Sequence, residues 1–277
     1  MSAATAHRSP RFVMSCIAVG LAAGLLSGLF GVGGGTVIVP MLVLLLGFDQ
    51  KLASGTSLAA IVPTAVVGVI SYAVMGEVSW VAAGLLAAGA VVGAQAGTWL
   101  LPRLPLPWLR WGFIAFLGVV VVNLFLVVPS RDAELVITWL SGPGLLVAGL
   151  VTGVLSGLLG VGGGVVVVPV LILAFGANDL VAKGSSLVMM IPGSISGTLG
   201  NVRRQNVDLR SAAIVGIAAC VTVPFGSLFA AWIDPFWGNV AFSVYLAFIF
   251  WQMLSKKLRA RKSAGKNPLD ESGKSGE

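Results

Sequence analysis

Apolar residues fall in long, nearly charge-free blocks that are separated by short polar stretches along the chain. Residues 12–30 and 109–128 are two examples. Each block has about 20 residues, which is enough for an α-helix to cross a hydrocarbon core of roughly 30 Å. Because several such blocks follow one another, the pattern predicts an all-α integral membrane protein with many crossings.

The sequence also contains an internal repeat. GLLSGLFGVGGGTVIVP at residues 24–40 returns as GVLSGLLGVGGGVVVVP at residues 153–169, so that Gly24 corresponds to Gly153. Over residues 20–78, 25 of 59 positions are identical to their counterparts in the second copy. Apolar composition alone does not reproduce SG-x-x-GVGGG at a fixed offset, so we infer that one structural unit is duplicated.

Each copy has the same order of segments. A long apolar segment (12–29 or 145–158) ends in the glycine cluster, and a short one (36–46 or 165–175) follows it. Three ordinary spans follow in the first copy and three in the second, at 52–71, 78–101 and 109–128 and at 181–199, 209–232 and 236–254. The predicted domains are a cytoplasmic leader 1–11, membrane repeat 12–128, linker 129–141, membrane repeat 142–254 and a basic, disordered cytoplasmic tail 255–277.

The glycine cluster predicts a break in the first helix of each copy. Glycine costs about 1 kcal/mol per residue in a helix, so four glycines in five residues favour unwinding. The short segment of 11 residues would cover about 16 Å, half a bilayer, which places the break near the midplane. Lipid tolerates such backbone where it is buried in protein or lines a cavity. The alternative is a continuous helix whose glycines allow close helix packing.

Loop charges favour a topology in which each broken segment returns to the side where it began. In that topology the chain crosses the membrane three times between a residue of the first copy and its counterpart in the second. Because three is odd, the two copies have opposite orientations in the membrane. The predicted fold class is therefore two inverted repeats, each with one re-entrant or discontinuous segment and three transmembrane helices. The competing topology has eight spans and leaves four basic residues outside. In the favoured topology Arg131 and Lys183 are outside, whereas the cytoplasmic side receives the basic tail with Arg8, Arg11, Lys51, Arg103, Arg110, Arg203, Arg204 and Arg210.

Two paired elements form the candidate substrate site. Unwound glycines offer free backbone amides at the N-terminus of a half-helix, where the helix dipole attracts anions. Hydroxyls follow in Ser54-Gly55-Thr56-Ser57 and in its counterpart Lys183-Gly184-Ser185-Ser186. The predicted substrate-binding residues are Gly33, Gly34, Gly35, Thr56, Ser57, Gly162, Gly163, Gly164, Lys183, Ser185 and Ser186.

The paired hydroxyl elements also have a structural interpretation. Because they open the next predicted helix, their hydroxyls could cap it instead of binding substrate. Lys183 replaces Ser54 between the copies. It is either an ordinary loop cation that snorkels to the interface or a gate charge for an anion.

The remaining chemistry favours anion transport over other functions. Asp and Glu map to loops, span ends or the tail, whereas cation pathways use buried acids. Gln95, Asn123 and Asn201 are further polar candidates. The single histidine, His7, leaves no catalytic triad or metal cluster, so we predict no enzyme, no metal and no cofactor. The formal net charge of +7 lies largely in the tail without a base-reading module, which disfavours nucleic-acid binding.

The duplicated SG-x-x-GVGGG motif, the following Pro40 and Pro169, and the GTS-like element after them resemble the TauE/SafE family of sulfite and organosulfonate exporters. The resemblance covers residues 13–254. It implies a multi-pass permease of the cell inner membrane, in contact with lipid. Both termini are cytoplasmic in either topology that the loop charges allow. The resemblance also implies a small sulfur-containing anion, such as sulfite or sulfoacetate, as the substrate. Gly184-Ser185-Ser186 departs mildly from the GTS pattern but keeps the hydroxyl.

A second function class stays open from the sequence. The chain could be a non-transporting membrane scaffold or an accessory permease subunit whose glycines merely pack helices. Substitution of Gly34 or Gly163 by leucine separates the classes, because a scaffold should misassemble whereas a transporter loses flux. The choice between a monomer and a homo-oligomer is also open.

Overall fold

The computed structural model describes residues 10–100, 141–238, 240–248 and 251. The leader up to residue 9, the predicted span 109–128 with Asn123, the linker up to residue 140 and the tail 255–277 lie outside these residues. Residues 235–238 and 240–248 are helical. The other helices are α1 (Pro10–Phe30), α2 (Gly35–Leu45), α3 (Gln50–Val74), α4 (Trp80–Leu100), α5 (Ser141–Leu159), α6 (Gly164–Phe175), α7 (Asp179–Val202) and α8 (Leu209–Trp232).

Five of the described helices are long and apolar enough to cross a membrane: α1, α3, α4, α5 and α8. Many of their large apolar side chains are exposed, among them Val74, Phe225 and Trp232. Exposed apolar surface on this scale fits contact with lipid rather than water. The chain is therefore a multi-pass membrane protein. α7 is as long as these helices but buries polar side chains, including Ser194 and Asn201, in the protein interior.

The short helix of each copy runs back along the helix that precedes it. In the first copy, Gly34 lies against Ala23, and the ring of Phe48 stacks on that of Phe12 with centroids 6.4 Å apart. Since the partner's number falls as the chain advances, α2 is antiparallel to α1.

The same hairpin occurs in the second copy. Gly163 lies against Thr152, and Gly144 lies against the ring of Phe175. Helix α6 is therefore antiparallel to α5.

Glycine stripes join each copy to the other. Along α4 and α5, Gly89 packs on the carbonyl of Leu146 and Gly97 on that of Val154, so these helices are parallel. A Cβ at either glycine would overlap with the carbonyl oxygen. Spacing small residues every four positions lets two backbones approach this closely.

The matching interface joins α1 to α8. Gly20 packs on the carbonyl of Val215 and Gly28 on that of Val223, so α1 and α8 are parallel as well. The third spanning helix of each copy, as far as the structure describes them, thus docks on the first helix of the other.

Helices α3 and α7 cross at the centre of the molecule. Leu187 of α7 packs on Gly68 of α3, and Leu58 of α3 packs on Gly197 of α7, which makes the pair antiparallel. Each is flanked by a spanning helix of the other copy, α8 beside α3 and α4 beside α7. For example, Gln95 Nε2 of α4 donates to the Ser196 carbonyl of α7 at 2.9 Å.

Candidate functional site

The glycine clusters interrupt the chain as predicted. Gly31, Gly33 and Gly34 have φ of 67°, 70° and 74°, and Gly160, Gly162 and Gly163 have φ of 72°, 84° and 86°. These are left-handed conformations that residues with a Cβ adopt at a cost. Each long helix ends before its cluster, and a separate short helix begins at the last glycine.

Backbone amides at both breaks lack the hydrogen bonds of a helix. The first bonds of α2 run from Val37 N and Ile38 N to the carbonyl of Gly34, both at 3.0 Å. For the amides of Gly33 and Gly34 the structure shows no acceptor within the part of the chain that it describes. Gly162 and Gly163 are in the same situation at the second break. Backbone amides at a helix N-terminus that have no acceptor within the protein can donate hydrogen bonds to a bound anion.

The two breaks lie against each other. Gly35 packs on the carbonyl of Val161, and Gly164 packs on Gly31 and Val32. Two clusters that belong to different copies of the repeat therefore meet at one place in the fold. The side chains of α3 and α7 fill the space beside them. A small cavity beside the second break, of about 10 Å³ and next to Ser156, holds no more than one water molecule.

The paired hydroxyl elements do not open their helices. Helix α3 begins at Gln50 and is capped by Asp49, whose Oδ1 accepts from Lys51 N at 2.8 Å and Leu52 N at 3.0 Å. Asn178 caps α7 in the same way. The expectation that the hydroxyl elements stand at the helix starts is therefore wrong, because the polar residues just before them already satisfy the first amides.

Thr56 and Ser185 instead hold the loops of the other copy. The amide of Asp208 donates to Thr56 Oγ1 at 3.0 Å, and the amide of Ser79 donates to Ser185 Oγ at 3.0 Å. These are equivalent contacts, since Thr56 corresponds to Ser185 in the repeat and Ser79 corresponds to Asp208. Next to Thr56, Gly55 packs on the carbonyl of Asn206, in the loop that precedes Asp208.

We expect Thr56→Val to lower the free energy of unfolding by about 1–2 kcal/mol, because it removes the acceptor of the Asp208 amide at nearly constant volume. Thr64→Val is the matched control, since the Thr64 hydroxyl bonds to the Ala60 carbonyl one turn earlier in the same helix, at 2.8 Å. Thermal unfolding in detergent measures both. Equal effects would contradict the role of Thr56 in joining the copies.

Of the second pair of hydroxyls, Ser186 lies at the first break. Ser186 Oγ is 2.5 Å from the Gly31 carbonyl of the opposite break and 2.8 Å from the Lys183 carbonyl. Ser57 is its equivalent in the first copy and is fully buried. Within the described residues Ser57 Oγ has no hydrogen-bond partner. A buried hydroxyl with unused capacity is costly unless a ligand completes it.

Lys183 is buried in α7 rather than placed in a loop. It is 3% exposed, and its Nζ lies 2.8 Å from Oδ2 of Asp179, which is 4% exposed. The interpretation of Lys183 as an ordinary loop cation that snorkels to the interface is wrong, because Lys183 lies inside α7 with its amine paired to a buried carboxylate. The backbone of Lys183 contacts Gly31, which brings this helix turn to the first break.

Sequence reasoning missed a pair of hydroxyls at the first break. Thr36 Oγ1 at the start of α2 is hydrogen-bonded to the Tyr245 hydroxyl, and the Tyr245 ring stacks on Phe30 with centroids 4.8 Å apart. The sequence signal for it was Thr36 itself, which directly follows the glycines where the second copy has Val165. The contact with Tyr245 spans 209 residues and has no local signature.

No group of three or more potential metal ligands occurs among the residues that the structure describes. Of the other polar candidates, Gln95 and Asn201 bond to helix carbonyls, those of Ser196 and Gly197. The Gln95 bond joins α4 to α7, whereas the Asn201 bond lies within α7, and neither involves the breaks.

A family model described as "Sulfite exporter TauE/SafE" matches residues 2–124 and 145–275. The chain is 32% identical to a "Probable membrane transporter protein" of Haemophilus influenzae over 193 residues, covering 67% of this chain and 72% of the relative. It is 30% identical to a protein of the same description from Xylella fastidiosa over 194 residues, covering 69% and 72%. No solved structure matches the chain significantly.

Proposed function

The chain belongs to the sulfite exporter TauE/SafE family, and from that premise we propose that it is a secondary transporter that exports a small anion. The proposed substrates are sulfite and organosulfonates such as sulfoacetate. Its relatives are described as probable membrane transporters, which supports the general activity. The sulfur chemistry of the substrate rests on the family description.

The observation that carries the proposal is the meeting of the two glycine breaks. The amides of Gly33 and Gly162 have no acceptor among the described residues, and both glycines pack on the same two side chains, Ile61 and Met190. The buried hydroxyl of Ser57, the repeat equivalent of Ser186, has no partner among the described residues either. Neutral donors at two helix N-termini suit a small oxyanion, because their N–H groups and the helix dipoles stabilise its negative charge. Lys183 supplies a buried positive charge in the helix turn that packs on Gly31, and its Asp179 partner can be exchanged for substrate in the transport cycle.

We also propose that the copies are inverted and that their short helices are re-entrant. Support comes from helix directions. α1, α3 and α8 run parallel to one another, whereas α4, α5 and α7 run parallel in the opposite sense, as the contacts of α3 with α7 require. Since α1 and α3 share a direction, α2 brings the chain back to the side where α1 began. This is the arrangement of many transporters that alternate access around a midplane site.

The proposed orientation places the start of α1 in the cytoplasm of the cell that carries the protein in its inner membrane. The helix ends on that side carry Arg11, Lys51, Arg203, Arg204 and Arg210. The described helix ends on the opposite side carry mainly acids, Glu77 and Asp234 among them. Basic residues accumulate on the cytoplasmic side of membrane proteins.

Flux in proteoliposomes tests the function. We expect labelled sulfite or sulfoacetate to cross vesicles that contain the purified protein faster than empty vesicles. Ser57→Ala should reduce that flux, whereas Ser71→Ala should not, because Ser71 bonds to the Val67 carbonyl of its own helix. A folded protein that moves no member of a broad anion panel would overturn the transporter proposal in favour of a scaffold or accessory subunit.

A further inference from the structure

Two apolar side chains stand between the glycine breaks. The end of the Met190 side chain, Cε, faces both Gly33 and Gly162, and the Ile61 side chain faces the same two glycines. A Cβ at Gly33 would overlap with Met190 Cε and would lie 3.2 Å from Ile61 Cγ2. Both side chains are buried, Ile61 at 0% and Met190 at 1% exposure. These two side chains therefore fill the space between Gly33 of the first break and Gly162 of the second.

Ile61 and Met190 are equivalent positions of the two copies, since the offset that pairs Gly33 with Gly162 also pairs them. They lie on α3 and α7, the antiparallel pair that crosses at the centre of the molecule. Each copy thus contributes one side chain to the same place. Access from the two membrane faces would meet the same apolar pair, as alternating access around a central site requires.

Both helices contain a proline just after this position, Pro63 in α3 and Pro192 in α7. Proline removes one hydrogen bond from a helix and weakens the turn before it. The turns that carry Ile61 and Met190 are therefore the ones that can bend with the smallest loss of helix bonding. Met190 adds a flexible, unbranched side chain that moves between rotamers easily.

We propose that Ile61 and Met190 form the gate of the translocation path and set the size of the anion that passes. This rests on the proposed transport function. When the two side chains meet, they leave an apolar constriction that excludes water and ions. When α3 and α7 bend at their prolines, the side chains separate and open the amides of both breaks to substrate.

The test uses the double variant Ile61→Ala/Met190→Ala in proteoliposomes, with chloride as the probe and a potassium diffusion potential as the driving force. We expect passive chloride permeability to rise roughly tenfold or more above wild type, because a constriction that excludes water becomes wet when its side chains are shortened. The single variants should show smaller increases.

The matched control is Leu58→Ala/Leu187→Ala. These leucines are also equivalent positions of α3 and α7 and are also fully buried, but they pack on Gly197 and Gly68 rather than on the breaks. The control should stay tight to chloride. If the gate variant is folded and as tight as this control, the gate proposal is overturned. If the double variant does not fold, Met190→Ala alone is judged by the same criterion.

This experiment separates the gate from the substrate proposal. The chloride leak does not depend on the natural substrate, whereas the sulfite and sulfoacetate flux of the wild type does. A leaky variant of a wild type that moves other panel anions but neither sulfite nor sulfoacetate would support the gate and overturn the proposed substrate. If the wild type transports sulfite or sulfoacetate but the gate variant stays tight to chloride, the substrate proposal is supported and the gate proposal is overturned.

Discussion

Gly31→Ala is expected to destabilise the protein far more than Gly76→Ala. Both glycines have positive φ, 67° and 78°, so both substitutions carry the left-handed cost of about 1–2 kcal/mol. At Gly76 an added Cβ meets open space, whereas at Gly31 it would lie 2.6 Å from the Lys183 Cα. Since a backbone atom cannot rotate aside, overpacking adds about 1–3 kcal/mol at Gly31.

Thermal unfolding with a thiol-reactive dye measures this difference, because Cys16 is fully buried and reacts as the protein unfolds. Gly160→Ala should behave like Gly31→Ala, since its Cβ would lie against the Ser54 backbone in the equivalent contact. Equal shifts for Gly31→Ala and Gly76→Ala would show that the break does not pack on α7 as closely as the structure has it.

Lys183→Met is expected to cost about 3–5 kcal/mol, because it leaves the carboxylate of Asp179 buried without its cation. The first copy offers a matched repair. Gln50 and Ser54 occupy the positions equivalent to Asp179 and Lys183. The double variant Asp179→Gln/Lys183→Ser therefore installs a neutral pair that this fold already accommodates. We expect it to recover most of the lost stability.

Stability and flux together decide what the ion pair does. If Lys183 is a gate charge for the anion, the neutral double variant should fold well and lose most of its sulfite or sulfoacetate flux. If the pair is structural, the double variant should keep the flux. The ion-pair energetics would be contradicted by a Lys183→Met variant that is as stable as wild type, or by a double variant that is less stable than the single one.

Local patterns predicted the helices closely. The short segment expected at residues 36–46 is Gly35–Leu45, and the span expected at 209–232 is Leu209–Trp232. Membrane helices satisfy their backbone internally, so apolar length reports them directly. α3 and α7 are longer than predicted, because Asp49 and Asn178 cap them before the apolar residues begin. Lys183 lay inside the predicted span 181–199, but its pairing with Asp179 in the protein interior was not predicted.

Partners across the repeats escaped prediction for a different reason. From its own segment, Thr56 was predicted to bind substrate or to cap a helix. In the structure its hydroxyl oxygen accepts a hydrogen bond from the amide of Asp208, 152 residues away in the sequence. Thr36 meets Tyr245, and Met190 meets Gly33, through the docking of helices that are distant in sequence. Single-sequence periodicity reports which residues face inward but not which helix they face.

By itself, the sequence determined the class of the protein, the duplication, the position of both breaks and the family, because each follows from residue type and spacing along the chain. An inverted repeat already suggested that the two breaks come together, and the tertiary structure shows that they do. The tertiary structure alone decided that Ile61 and Met190 fill the space between them, and that Lys183 is paired with Asp179 inside the protein. These contacts depend on the direction and crossing of α3 and α7, which glycine packing between the two copies sets.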